Sequence, residues 1–440
     1  MKFVTVVGAG LAGCEAAWQA ARFGAKVRLI EMKPEKKSPA HNYGGYAELV
    51  CSNSLGSLSV ENAKGLLKQE LRELGSLLVK CADMCRVPAG GALAVDRVLF
   101  ADTVTKAIKA NGNICAECAE ADAIPDERPC IIATGPLTTG NLLADIAARF
   151  GGERLYFFDA ASPIVTYASI DTDKTFLASR YGKGDGCYIN CPMTRGQYEA
   201  FYEELRNAET AETHGFENTK LFEGCVPVEN LAKRGADTLR FGPLKPKGLK
   251  NPATGVEPYA AVQLRQDDSA GSLYNLVGFQ TRLKFGEQKR VFSMIPGLNR
   301  AEFVRYGTMH ENSYVNSPAT LNRDYSVRTD RGLYIAGQLA GVEGYVESVS
   351  SGFTAGVCAA LCGTVKPAPA FPEETVIGAL ARYISTRGGG DFQPMNANFG
   401  ILPPLTAEET RKPKRERNGG YVKRSLYAVS IINEYLLGCN

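Results

Sequence analysis

A short β-branched run, Phe3-Val4-Thr5-Val6-Val7, passes directly into Gly8-Ala9-Gly10-Leu11-Ala12-Gly13, and few sequence features restrict a fold so tightly. The run reads as a buried parallel strand. Cys14 to Phe23 is Ala-rich and helix-prone, with Gly24 placed to stop it. A second strand, Lys26-Val27-Arg28-Leu29-Ile30, ends on Glu31. Strand, glycine turn, helix, strand and terminal acid together are the context that a dinucleotide fingerprint requires. Gly8 permits the tight turn, Gly10 lets the backbone approach a pyrophosphate, and Gly13 lets the helix pack on the strand. The helix start offers unpaired N–H groups and a positive dipole end to phosphates. Glu31 stands where an acid accepts hydrogen bonds from ribose hydroxyls.

Two later strand ends repeat the device. Pro129-Cys130-Ile131-Ile132-Ala133-Thr134-Gly135 closes on a small residue, which lets the chain pass near a bound cofactor. Gly332-Leu333-Tyr334-Ile335-Ala336-Gly337 continues through Gly341 and Gly344 into a small-residue helix reaching Ala359. The dipole end of that helix suits negative charge on a reduced flavin ring. Strand–glycine–helix devices at both ends of the chain fit FAD, which has two distant ends to hold. The expected fold is therefore α/β, a Rossmann-like FAD-binding domain with an inserted smaller α/β domain. Composition changes near Tyr181, where long apolar runs give way to glycines, prolines and charges. The expected division is residues 1–180 and 287–371 for the FAD-binding domain, 181–286 for the insert and 372–440 for a basic helical C-terminal segment. Helices are expected from Asn62 to Leu78 and from Val95 to Lys109, with Asp96 near the start of the latter.

At 440 residues the chain has length for two or three domains. No apolar run approaches the roughly 20 residues of a membrane span. The N-terminus reads as a structural strand with no basic flank or cleavage site, so no signal peptide is expected. Thirteen cysteines without a secretory signal read as free thiols in a reducing cytoplasm. Cys115 and Cys118 form a CxxC without a second pair, and His41, His214 and His310 are scattered, so no metal site is expected. With a net charge of +3, nucleic-acid binding has to come from local patches.

Such patches exist. Gly224 and Pro227 bracket Cys225 in a turn that favours exposure, and Lys233, Arg234, Arg240, Lys245, Lys247 and Lys250 follow it. A basic run is usually a solvated face, but beside an exposed thiol it becomes a candidate phosphate-binding patch. Arg411, Lys412, Lys414, Arg415, Arg417, Lys423 and Arg424 form the strongest basic cluster, either a solvated helix face or a contact for tRNA backbone. Cys51 in Cys51-Ser52-Asn53-Ser54 reads, taken alone, as a buried loop cysteine. For His310, structural and catalytic readings both stand.

The opening fingerprint, Cys51-Ser52-Asn53-Ser54, Gly224-Cys225-Val226-Pro227, Val277 to Arg290, Tyr306 to Pro318, Gly337 to Gly352 and Asn398-Phe399-Gly400 together resemble one family across essentially the whole chain. That family is TrmFO, the folate- and FAD-dependent tRNA (uracil-5-)-methyltransferases. The resemblance implies methylation of uracil C5 in the tRNA T-loop. The carbon comes from 5,10-methylenetetrahydrofolate by way of reduced flavin, and NADPH or NADH restores the flavin. Uracil C5 is a poor nucleophile until something adds at C6, and a thiolate suits that addition. By the resemblance Cys225 takes this role, His310 and Tyr345 stack on the pterin, and Cys51 assists at the flavin. The target uridine leaves its stack, at a cost of a few kcal/mol. Lys245, Lys247, Arg411, Lys412, Lys414 and Arg415 are the expected RNA-backbone contacts. Two rivals stand beside this reading: a flavin oxidoreductase acting on a small molecule, and a non-catalytic flavin-bearing tRNA-binding protein. The first leaves Cys225 and the basic segments idle, and the second predicts tRNA binding unchanged by folate.

Overall fold

The computed structural model describes residues 2–150, 155–182, 187–211, 226–386 and 392–439. Two six-stranded sheets organise it. The first runs, edge to edge, Ser326–Val327, Asp330–Ile335, Cys130–Ile132, Phe3–Val7, Lys26–Glu31 and Ile114–Cys118. All its pairings are parallel except the one at the Ser326–Val327 edge. Such strands are covered on both faces, and Val4, Val6, Leu29, Ile131 and Ile335 are accordingly fully buried. Register does the rest: Val7 pairs with both Ile30 and Ile132, and Ile132 also pairs with Ile335. The four central strands therefore finish level, and Gly8, Glu31, Ala133 and Ala336 leave the sheet at one edge. Ligands of open α/β sheets bind at this carboxyl edge.

The fingerprint helix, Leu11–Arg22, packs against Tyr345–Leu361, the small-residue helix expected from the sequence. A Cβ added at Gly352 would stand 2.2 Å from the carbonyl oxygen of Ala12, and one at Gly356 would stand 2.5 Å from that of Ala16. The two helices thus touch backbone to backbone.

The second sheet is antiparallel throughout, in the order Phe176–Leu177, Tyr188–Met193, Ala260–Gln266, Leu273–Leu276, Ile164–Thr166, Phe303–Arg305. Its strands come from Ile164 to Arg305, beginning earlier and ending later than the 181–286 stretch marked by composition. An antiparallel ribbon of Leu155–Ala160 with Met309–Tyr314 pairs His310 with Asp159. The expected Asn62–Leu78 helix is two, Ala63–Glu73 and Leu77–Met84, broken at Gly75 with φ +82°. Buried Glu15 explains the second start, accepting from Ser76 Oγ and from the backbone N–H of Leu78. Asp96 caps Arg97–Ala110, as its position in the sequence suggested. The C-terminal segment carries a 24-residue helix, Lys414–Leu437. Among the described residues no helix is long and apolar enough to cross a membrane.

Candidate active site

At the carboxyl edge of the parallel sheet lies a groove lined by Gly8, Gly10, Glu31, Gly135, Gly337 and Tyr345. Gly8 has φ +97°, and a Cβ on Gly13 would stand 1.8 Å from the Gly8 carbonyl oxygen, so the turn closes only with glycine at both places. An added Cβ at Gly10, by contrast, would meet nothing within 4 Å. Gly10 is the N-cap of the fingerprint helix and carries no side-chain cap, which leaves the first-turn N–H groups for a ligand. Glu31 is buried at the end of its strand. Its Oε2 accepts from Ala9 N at 2.6 Å and its Oε1 from Lys33 N at 3.0 Å. Glu31 therefore braces the glycine turn as well as facing the groove. On the rim, Ser38 Oγ is 2.6 Å from His41 Nδ1, and burial, aided by the charge of Lys33, holds His41 at a pKa of about 4. These residues fit an adenine dinucleotide: open backbone donors for the pyrophosphate, an acid facing the groove for the ribose, and small residues along the track.

A second cavity adjoins the groove and shares with it the walls Val50, Pro136, Leu137, Gln338 and Tyr345. Cys51, Arg265, Gln280, His310, Gly344 and Glu347 line its far side. Tyr345 opens its helix next to Gly344, whose φ is +115°, and its phenol oxygen accepts from Cys51 N at 2.8 Å and Ser52 N at 3.1 Å. Burial pushes this phenol well above its usual range, so it stays protonated. His310 Nε2 lies 3.0 Å from Thr308 Oγ1. Burial, then the charge of Arg305, lowers the His310 pKa, leaving a neutral ring suited to stacking.

The Cys51 loop is held by three guanidinium groups that sequence reading did not single out. Arg97 makes a paired contact with Asp267, Nε to Oδ2 at 2.8 Å and Nη2 to Oδ1 at 3.0 Å, and donates to Leu49 O at 2.7 Å. Arg265 donates to Asn53 Oδ1 at 2.8 Å and Ser52 Oγ at 2.9 Å, and Arg305 donates to Val50 O. Asn53, fully buried, donates onward to Val95 O and Gln266 O. Arg97 belongs to the helix beneath the loop, whereas Arg265 and Arg305 come from the antiparallel sheet, so the loop is pinned from both layers. A separate tie joins the cavity wall to the C-terminal segment. Glu347 accepts from Ala397 N at 2.8 Å, one residue before Asn398-Phe399-Gly400, and lies 3.8 Å from Lys64 Nζ.

The structure thus brings Gly8, Gly10, Glu31, Gly135 and Gly337 into one groove, and Cys51, His310, Gly344 and Tyr345 into the adjoining cavity. Gly13 serves the turn from behind. Lys245, Lys247, Arg411, Lys412, Lys414 and Arg415 line neither space. Arg411, Lys412, Lys414 and Arg415 are exposed, with Arg415 Nε 3.0 Å from Glu61 Oε1. Arg240, part of the run after Cys225, lies over the Tyr259 ring at 3.8 Å and pairs with Asp237, which makes it a packing residue. Cys225 and His214 lie outside the described residues. Among the described residues no group of three or more His, Cys, Asp or Glu side chains is arranged to hold a metal ion.

Residues 3–366 match the family model described as glucose inhibited division protein A. Relatives named methylenetetrahydrofolate--tRNA-(uracil-5-)-methyltransferase TrmFO cover nearly all of the chain. The one from Acetivibrio thermocellus is 56% identical over 436 residues, 99% of this chain and 98% of its own. That from Listeria monocytogenes is 52% identical over 435 residues, 99% of this chain and 100% of its own. Among solved structures, Aquifex aeolicus GidA superposes with a TM-score of 0.69 at 18% identity, over 98% of this chain and 73% of that one, a likeness of fold. With matches of this depth along its whole length, the chain belongs to the glucose inhibited division protein A family and, by sequence, to the TrmFO methyltransferases.

Proposed function

We propose that this chain methylates C5 of a uracil in tRNA, taking the carbon from 5,10-methylenetetrahydrofolate with FAD seated in the glycine-lined groove. One observation carries the reading. The groove that fits the dinucleotide shares walls with the cavity holding Cys51, His310 and Tyr345, so a flavin ring and a stacked pterin have adjoining space. When bound, FAD supplies the reducing equivalent that turns a methylene into a methyl group, and NADPH or NADH replenishes it. The chain's own residues do the rest. First-turn N–H groups at Leu11 to Gly13 hold the pyrophosphate, and Glu31 meets the ribose. The start of the Tyr345–Leu361 helix favours negative charge at the ring. Neutral His310 and protonated Tyr345 flank the pterin, while the Tyr345 phenol and the arginine clamp hold Cys51 in place. Cys225 is the thiolate that adds to uracil C6, making C5 nucleophilic. Lys245, Lys247 and the 411–415 cluster hold the RNA backbone. The substrate site is the T-loop, and the compartment is the cytoplasm, where tRNA and a reducing milieu coincide.

The test supplies labelled methylenetetrahydrofolate, NADPH and an unmodified tRNA transcript to wild type and to Cys225→Ala. Label at the T-loop uridine with wild type and a loss of at least a thousandfold in the variant is the expected outcome. Label persisting in the variant moves the nucleophile's role to Cys51. Failure of flavin-loaded wild type to label tRNA overturns the methyltransferase reading.

A further inference from the structure

Three aromatic rings form a ladder on the surface. Phe303 and Tyr306 stack with centroids 5.5 Å apart at 13°, and Tyr306 and Phe285 continue the stack at 4.9 Å and 19°. Beneath them Phe303 leans on buried Phe292, 6.5 Å away. The upper ring, Phe285, has one face covered by Tyr306 yet remains 56% exposed. A large apolar ring at the first position of the polar helix Phe285–Phe292 serves no core. Its position is rigid, because Gln288 of the same helix donates to Gly307 O at 2.8 Å and accepts from Gly307 N at 2.8 Å.

Position says what the ring is for. Tyr306 is four residues before His310, so their Cα atoms are at most about 14 Å apart. The turn entering the helix is tied to the stretch following Cys225. Val228 N donates to Gln280 O at 2.7 Å, and Glu229 accepts from Thr281 Oγ1 and Arg282 N. Residues 282–290 hold Arg282, Lys284, Lys289 and Arg290, of which Lys284 pairs with Glu209 and Arg290 with Glu204 and Glu287. A flat, half-covered ring, held rigidly on the surface and joined to His310 by one short segment of chain, is the pattern of a single-strand stacking platform.

We infer that Phe285, backed by Tyr306 and Phe303, stacks on an unpaired nucleobase of the tRNA loop next to the target uridine. Removing the target from its stack exposes a face of its neighbour, and the ring covers that face. The inference rests on the tRNA reading above, and it deepens that reading by assigning a base-contacting surface.

The test compares steady-state methylation of an unmodified tRNA transcript by wild type, Phe285→Ala, Phe285→Leu and Phe285→Trp, each checked for flavin content and melting. Phe285→Ala is expected to raise the KM for tRNA about five- to a hundredfold. The KM for methylenetetrahydrofolate, the flavin content and the salt slope of tRNA binding stay unchanged, because stacking releases no counterions. Phe285→Trp restores the KM and Phe285→Leu does not. A tRNA KM within twofold of wild type in Phe285→Ala overturns the platform, as does Leu restoring it as fully as Trp. Wild type that methylates no tRNA brings down the underlying reading instead, so the two failures are told apart.

Discussion

The dinucleotide groove is made of backbone: glycine carbonyls and N–H groups, one brace from Glu31, and two helix starts held together without intervening side chains. The cavity beside it is made of side chains. Three guanidinium groups and a phenol converge on five residues, Leu49 to Asn53, with Asp267 behind Arg97. Where the turn closes, at Gly8 and Gly13, the backbone seat tolerates no added atom, while Gly10 faces open space. A side-chain cage is the reverse, since its members can be resized but not discharged without stranding a partner. The two spaces share Tyr345, so the contrast can be tested by damaging each and asking whether the other survives.

The largest effect is expected from Gly13→Ala. Its methyl group would be driven against the Gly8 carbonyl, backbone against backbone, at a cost above the ordinary overpacking range of about 1–3 kcal/mol. Purified variant should emerge without flavin absorbance and with a collapsed melting curve. Normal flavin content would show that the turn can open. Next comes Asp267→Ala, which leaves buried Arg97 without its carboxylate at a cost of about 3–5 kcal/mol. Methylation is expected to fall at least a hundredfold while FAD affinity, measured by fluorescence titration, moves less than threefold. Parallel loss of both would mean that groove and cavity are one cooperative unit.

The smallest effect is a pH dependence on the groove side. His41 titrates near 6.5 when unfolded and at about 4 when folded, so the unfolded chain takes up its proton first as pH falls. Stability is therefore full above pH 6.5 and declines toward pH 4, with about 1–2 kcal/mol lost by pH 5 from this residue. Melting of wild type and His41→Asn at pH 7 and pH 5 measures it, the variant losing less. Equal losses would assign the acid sensitivity elsewhere.

The same contrast explains what the sequence disclosed. Gly8 to Gly13, Glu31, Gly135 and Gly337 were legible because a backbone seat is written locally, as glycines at strand ends. The cage was not, because Arg97, Arg265, Arg305 and Asp267 look like ordinary charges until the two sheets bring them around residue 51. Cys51 itself, in isolation, resembled any loop cysteine, and only the family resemblance raised it. The limits of the second layer were missed because its flanking strands, Ile164–Thr166 and Phe303–Arg305, are three residues each, too short to show a period of two. Arg240 was grouped with the basic run for its charge, while its place over Tyr259 depends on a partner nineteen residues away. Phe285 lay in plain view, but nothing local distinguishes an exposed phenylalanine from a buried one.

The contact of Gly352 and Gly356 with the first helix has a mechanical consequence. With no side chains between them to bend or repack, the helices that begin at Leu11 and Tyr345 behave as a single stator. The seats for the two ends of the cofactor keep a fixed spacing through every turnover. Any adjustment to an incoming ligand then falls to the facing groups, Arg265 and Arg305 of the antiparallel sheet and His310 of the two-stranded ribbon. Cys51 lies between the two, its loop tied to Tyr345 on the fixed side and to Arg265 and Arg305 on the other.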